Sequence, residues 1–233
     1  MGGLFDIGSE VWSALGVSLV VAGRAVLFAL PLAVLAAWLL ARGRFPGRTA
    51  LDALVHAPAV LPPVAVGFGL LLLFGVRGPI GAWLQQALGV RLVFTSQAAS
   101  LAAGVMAFPL MVRSVRLSLE AADPGLEIAA RSLGAATWDR LFSVTLPLAL
   151  PGIAGAAVTG FAACLGEFGA VITFAGDVPG ETRTLPIALY AALQTPGGEG
   201  EALRLALIAL AIAIAALIAA DLLDRRVRAW TGR

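Results

Sequence analysis

From Leu141 to Gly166 the chain carries no charged side chain. A run of that length matches the roughly 20 apolar residues that cross the roughly 30 Å hydrocarbon core of a bilayer as a helix. Four more segments share its character. Val11 to Ala41 is interrupted only by Arg24, Ala53 to Phe74 and Gln97 to Val112 carry no Asp, Glu, Lys or Arg, and Ala202 to Leu223 holds only Arg204 and Asp221, close enough to its ends to snorkel. The Leu141 run is expected to continue to Phe174. Of 233 residues, 60% are hydrophobic and 13% charged, about half the charged share of an ordinary soluble domain. In lipid each backbone polar group must be satisfied within its own segment, which leaves helices as the solution for such runs. The expectation is an all-α integral membrane protein with about five transmembrane helices, residues 1–233 forming one membrane domain. Pro58, Pro62 and Pro63 should kink the second span near its cytoplasmic end.

Several function classes drop out on composition. Lysine is absent, so the chain has no Walker A phosphate loop and is not itself a P-loop ATPase. The single histidine, His56, and single cysteine, Cys164, cannot build a metal cluster or an internal disulfide. Cys164 reads as a packing residue, and His56 as a hydrogen-bonding residue near a helix end. The net charge of +2 comes from arginines scattered in short loops, which argues against nucleic-acid binding. No nucleophile and base pair of an intramembrane enzyme is visible. No cleavable signal is expected, because the first apolar stretch is too long and its N-terminal flank is acidic.

The arginines set the orientation. One group of connections holds Arg42, Arg44 and Arg48, then Arg113, Arg116, Arg131 and Arg140, then Arg225, Arg226, Arg228 and Arg233; the opposite group holds Arg77, Arg91 and Arg183. The N-terminus is therefore expected outside and the C-terminus in the cytoplasm, with no regulatory extension after the fifth span. On the outer side, Ala175 to Glu201 carries Pro-Gly turns around Leu185 to Leu193, too short to span and expected as an interfacial or re-entrant helix. No internal repeat is seen, which argues against an ion-coupled secondary carrier.

The cytoplasmic connection, about 113–146, reads as structured. Leu126, Ala129, Ala130 and Leu133 share a helical face, and Gly134 offers a break before a second short helix. After Ala129-Ala130 come three residues, Gly134, nine residues, Val144, one residue, then Leu146-Pro147. With Glu127 in front, this segment resembles the coupling loop of ABC importer permeases. Ile128 fills the slot where that pattern has glutamate, and Glu127 stands one position earlier. Two short helices meeting at a glycine make a rigid knob that a cytoplasmic motor can move as one body. The expected coupling residues are Glu127, Ala129, Ala130, Gly134, Val144, Leu146 and Pro147.

A second likeness concerns cargo. Leu165-Gly-Glu-Phe-Gly-Ala170, Pro179 to Pro186, Gln194 to Gly198, His56 to Pro63 and Phe108 to Arg113 resemble the permease subunits of molybdate importers. The resemblance implies the type I ABC importer fold in the inner membrane of a prokaryote. It also implies a homodimer, two cytoplasmic ATP-binding subunits that hold the ATP and Mg, and a periplasmic oxyanion-binding protein. Sulfate and thiosulfate permeases share the coupling loop, and nothing in the residues separates molybdate from tungstate.

Arg24 and Glu167 are the ionisable residues well inside apolar runs, where an unpaired charge costs at least a few kcal/mol. Counted from the span ends, Arg24 lies about 14 to 20 Å deep and Glu167 about 10 Å, so the two are expected as an ion pair within one chain or across two copies. If they face different partners, one of them lines the anion's path. Gly166, Gly169, Thr173, Thr182, Arg183 and Thr184 are the remaining candidates for a path or gate, the hydroxyls and guanidinium as donors to an oxyanion.

Overall fold

The computed structural model describes residues 9–231, among which every regular element is helical. The first helix, α1 (Ser9–Arg42), has 34 residues, about 51 Å at 1.5 Å per residue, well beyond the thickness of a bilayer core. Its buried face is built of small residues, among them Ala14, Ser18, Ala22, Ala25, Ala33 and Ala37, while Leu19, Leu27, Phe28, Leu32 and Leu35 are exposed. Lipid tails are as apolar as leucine, so helices in a membrane associate by close packing of small residues, with the large ones left to lipid. The same logic shapes α5 (Ser96–Ala121), whose Ala98, Ala99, Ala102, Ala103, Gly104 and Ala107 are buried at the centre of the bundle. Thr95 caps it by accepting the Ala98 N–H at 3.3 Å.

The expected second span is not one kinked helix. It divides into α2 (Arg48–Val60) and α3 (Pro63–Phe74), bent by 116°. Two adjacent prolines cause this. Pro62 and Pro63 both lack the N–H that would continue the ladder, and each excludes the helical region for the residue before it. Leu61 is accordingly extended at φ −75°, ψ 146°. A further helix, α4 (Pro79–Leu88), which the apolar pattern did not single out, fills the connection to α5.

The connection expected on the cytoplasmic side forms α6 (Pro124–Ser132) and α7 (Thr137–Arg140), and then a π-helical turn, Leu141–Thr145, leads into α8 (Leu146–Gly166). The wider turn precedes Pro147, whose ring would clash inside a regular α-helical turn and whose missing N–H breaks its ladder. The fourth span does not run on to Phe174. It stops at Gly166, Glu167 is extended at φ −72°, ψ 126°, and a separate α9 (Gly169–Ala175) follows. The short helix expected between the fourth and fifth spans appears as α10 (Leu185–Gln194), and α11 (Glu199–Thr231) covers the fifth expected span. The side chains of Asp221, Arg225, Arg226 and Arg228, and all of Arg233, lie outside the described residues. By length and apolarity α1, α5 and the joined Leu141–Gly166 helix can each cross a membrane, and the bent α2–α3 pair has that length and apolarity only when its two helices are taken together, as a broken span or a re-entrant loop.

At the end of the bundle that carries α6 and α7, arginines close the helix termini. Arg42 donates to the Leu119 carbonyl at 3.0 Å, and Arg48 donates to the Leu40 carbonyl at 3.0 and 2.6 Å. Cations near the last carbonyls of α1 and α5 complement the helix dipoles, and Arg48 also meets the Leu40 carbonyl at the end of α1. Arg116 on α5 pairs with Asp52 on α2 at 3.0 Å and with Glu120 at 2.8 Å. His56 Nδ1 lies 2.9 Å from the Asp52 carbonyl within α2, and Cys164 is buried between α8 and α5 with its Sγ 3.5 Å from the Ala103 carbonyl.

Candidate functional site

The knob anticipated from Ala129 to Pro147 is built by local hydrogen bonds. Asp123 caps α6 by accepting the Gly125 N–H at 2.8 Å. At the other end the Gly134 N–H donates to the Arg131 carbonyl at 3.0 Å and the Ala135 N–H to the Ala130 carbonyl at 3.1 Å. Those two bonds form a Schellman close, with Gly134 at φ 85° in the left-handed region that favours glycine. Asp139 then reaches back to the Ala136 N–H at 3.3 Å and starts α7. Both helices are therefore capped and their junction is closed. Leu126, Ile128, Leu133 and Phe142 are exposed, Leu133 to 88% of its surface, so the knob presents an apolar face beyond the bundle. Ala129 is exposed and Ala130 half-buried, Val144 and Leu146 are half-buried, and Pro147 is exposed. Glu127 lies on α6, but its side chain is outside the described residues.

At the other end of α5 the two chain breaks meet. A β-carbon on Gly169 would fall 2.7 Å from Pro63 Cβ, and one on Gly67 would fall 2.7 Å from the Ala170 carbonyl oxygen and 2.8 Å from Thr173 Cβ. Thus α3 and α9 cross at glycine on both sides. Broken helices are tolerated in lipid only where protein buries them or they line a cavity; here Ala170, Val171 and Phe174 are buried, and the Phe174 ring packs tilted against Phe74 at a centroid distance of 6.2 Å. Pro62-Pro63 announced a kink, but the apolar run through Glu167 gave no sign of the second break, and the contact between the two was out of reach of the sequence.

Arg24 and Glu167 do not pair within the chain. The Glu167 carboxylate accepts the Ala170 N–H at 2.9 Å, capping α9, while Arg24 donates to Ser96 Oγ at 3.0 Å. The break at Glu167 frees backbone donors right beside the carboxylate, and these meet its need for a partner. Gly166 is exposed beside that break. Among the other candidates, Thr173 donates to the Gly169 carbonyl at 2.7 Å. Thr182 is fully buried, donating to the Gly176 carbonyl at 3.0 Å and accepting the Val178 N–H at 2.8 Å. Arg183 is held by both oxygens of Asp177 at 2.6 and 3.2 Å, which raises its pKa above the usual guanidinium value. Thr184 is buried, and its hydroxyl has no partner among the described residues. Arg24 instead borders a cavity of about 380 Å³ with Ser13, Gly16, Ser96, Gly180 and Glu181, a site the apolar pattern alone could not show.

Residues 29–229 match the binding-protein-dependent transport system inner membrane component family. The chain belongs to that family. The permease is 51% identical to the molybdenum transport system permease protein ModB of Escherichia coli K12 over 95% of its length and 97% of the relative's. It is 46% identical to ModB of Haemophilus influenzae, covering 95% of this chain and 96% of that one. Its fold is similar to that of a bacterial alginate ABC transporter solved with a pentasaccharide-bound periplasmic protein. There the TM-score is 0.74 at 18% identity, covering 96% of the permease and 83% of that chain. It is thus a multi-pass membrane permease with the type I importer fold.

Proposed function

We propose that the permease carries molybdate across the cytoplasmic membrane as a homodimer, driven by two ATP-binding subunits on the side of α6 and α7 and supplied by an oxyanion-binding protein on the opposite side. The observation that carries the reading is the capped α6–α7 knob, a rigid apolar projection on a chain whose relatives are molybdenum transport permeases. ATP and Mg belong to the partner subunits, the N-terminus lies outside and the C-terminus in the cytoplasm. Motor closure would push the knob as a rigid body, and α5, joined to α6 through Ala122 and Asp123, would carry the push into the bundle. Coupling roles for Glu127, Ala129, Ala130, Gly134, Val144, Leu146 and Pro147 follow from this reading.

The test is uptake in proteoliposomes holding the permease, its ATPase subunit and its binding protein. ATP-dependent accumulation of molybdate in preference to sulfate is expected. Uptake without the ATPase subunit would make it an ion-driven carrier, and accumulation of sulfate in preference would move it to the sulfate branch.

A further inference from the structure

We infer that the cavity between the first half of α1, the start of α5 and the 176–184 loop is a binding vestibule for a tetrahedral oxyanion, with Arg24 as its principal ligand. The inference rests on the reading of the chain as an oxyanion importer.

A charge inside an apolar helix is costly and marks a functional site unless it is paired, and among the described residues no carboxylate lies within ion-pair distance of Arg24. Its one described bond is to Ser96 Oγ. A guanidinium has five N–H donors in a fixed fork, so the bond to Ser96 orients the group and leaves the rest of the fork for an oxyanion, which it can hold bidentately. The other basic candidate at this end, Arg183, is already clasped by Asp177.

The surroundings suit the same ligand. Ser13 and Ser96 bring hydroxyl donors, and both are accessible rather than buried. Ser96 is the first residue of the 26-residue α5, so the cavity lies at the positive end of that helix dipole. A β-carbon on Gly16 would meet nothing within 4 Å, which keeps the α1 wall open. At about 380 Å³ the cavity holds an anion together with several waters of about 30 Å³ each. The Glu181 carboxylate borders it as well, and that is a sensible feature of a passage. A site on a transport path must bind well enough to admit its cargo and weakly enough to release it, and one carboxylate facing a guanidinium limits the dwell. The vestibule lies at the end of α5 away from the α6–α7 knob, where cargo arrives under the proposed orientation.

The full permease carrying Val20→Cys, an exposed lining residue that offers no polar group to the anion, reconstituted with its ATPase subunits but without ATP or binding protein, provides the test. Buried Cys164 stays silent. A membrane-impermeant methanethiosulfonate labels the new thiol, and millimolar sodium molybdate or tungstate should slow labelling at least about threefold, against sodium chloride at equal ionic strength. Adding Arg24→Gln should abolish that protection, and Arg24→Lys should keep part of it. Loss of one charge-assisted contact of this type corresponds to about ten- to hundredfold weaker binding. Labelling unchanged by the oxyanions, or protection that survives Arg24→Gln, overturns the vestibule. Because protection is read first with Arg24 intact, a misfolded Arg24→Gln chain does not rescue the idea. Molybdate uptake by the wild-type chain is measured separately. Its absence overturns the importer reading, whereas normal uptake without protection overturns the vestibule alone.

Discussion

Gly169 stands so close to Pro63 that a β-carbon on it would lie 2.7 Å from the proline's own Cβ. The break that ends α8 therefore rests on the break that separates α2 from α3, and the two interrupted helices form one joint. Movement at the α2–α3 bend cannot leave α9 in place, which gives the broken helices a mechanical reason to sit together.

Two glycines on α3 test that joint. A methyl on Gly67 would lie 2.7 Å from the Ala170 carbonyl oxygen, a backbone atom that cannot turn aside, whereas one on Gly69 would meet nothing within 4 Å. Both substitutions gain about 1 kcal/mol of helix propensity, so the difference between them isolates the contact. Gly67→Ala should cost about 1–3 kcal/mol from overpacking and lower the melting temperature of the detergent-solubilised chain by several degrees, while Gly69→Ala should not lower it. Equal melting of the two variants would dismiss the joint.

Gly134 is sensitive for a different reason. The space around its Cβ position is empty, but its φ of 85° is strained for any L side chain, at roughly 1–2 kcal/mol. Gly134→Val should therefore loosen the Schellman close and reduce ATP-driven uptake with the chain still inserted. Gly134→Asn should keep most of the uptake, because asparagine visits the left-handed region more readily. If asparagine is as damaging as valine, the backbone conformation is not what the knob requires.

Arg48 and Arg44 separate a helix cap from simple topological charge. Both sit in the same arginine-rich connection, so removing either weakens the positive-inside signal alike. Arg48 alone donates twice to the carbonyl of fully buried Leu40, while Arg44 is exposed with no described bond. Arg48→Ala should destabilise the chain by about 1–3 kcal/mol, the cost of leaving a buried acceptor unmet. Arg44→Ala should stay within about 0.5 kcal/mol of wild type. Thermal melting of the two purified variants decides, and matching values would reduce Arg48 to a topological charge.

What could be read from the residues alone was whatever is decided locally. The Schellman close spans Ala130 to Ala135, and its glycine and flanking alanines suffice to announce it. Apolar runs announced the long helices for the same reason. The bend at Leu61 was read too mildly, because two consecutive prolines remove two ladder bonds and restrict two preceding residues at once. The contact of Gly169 with Pro63 was out of reach, since each glycine is explained only by a backbone about a hundred positions away. Similar depth alone did not bring Arg24 and Glu167 together, because nearer partners take each: a serine at the start of α5 for Arg24, and the backbone donors released by the break for Glu167.

Glu167 accepts the Ala170 N–H and Arg24 donates to Ser96, with no partner in common. In a double-mutant cycle such residues contribute independently, and their coupling should be no larger than about 0.3–0.5 kcal/mol. Glu167→Ala should cost about 0.5–2 kcal/mol, as the loss of an N-cap does. Glu167→Gln keeps an oxygen acceptor and should cost less than Glu167→Ala. Arg24→Gln retains a donor for Ser96 and should change stability little. The Arg24→Gln, Glu167→Ala double variant should then match the sum of the singles when thermal stability is measured on the purified permease. A coupling above about 1 kcal/mol would mean that the two charges meet across the dimer, and Arg24 would then be occupied by the partner subunit's carboxylate rather than open to an anion.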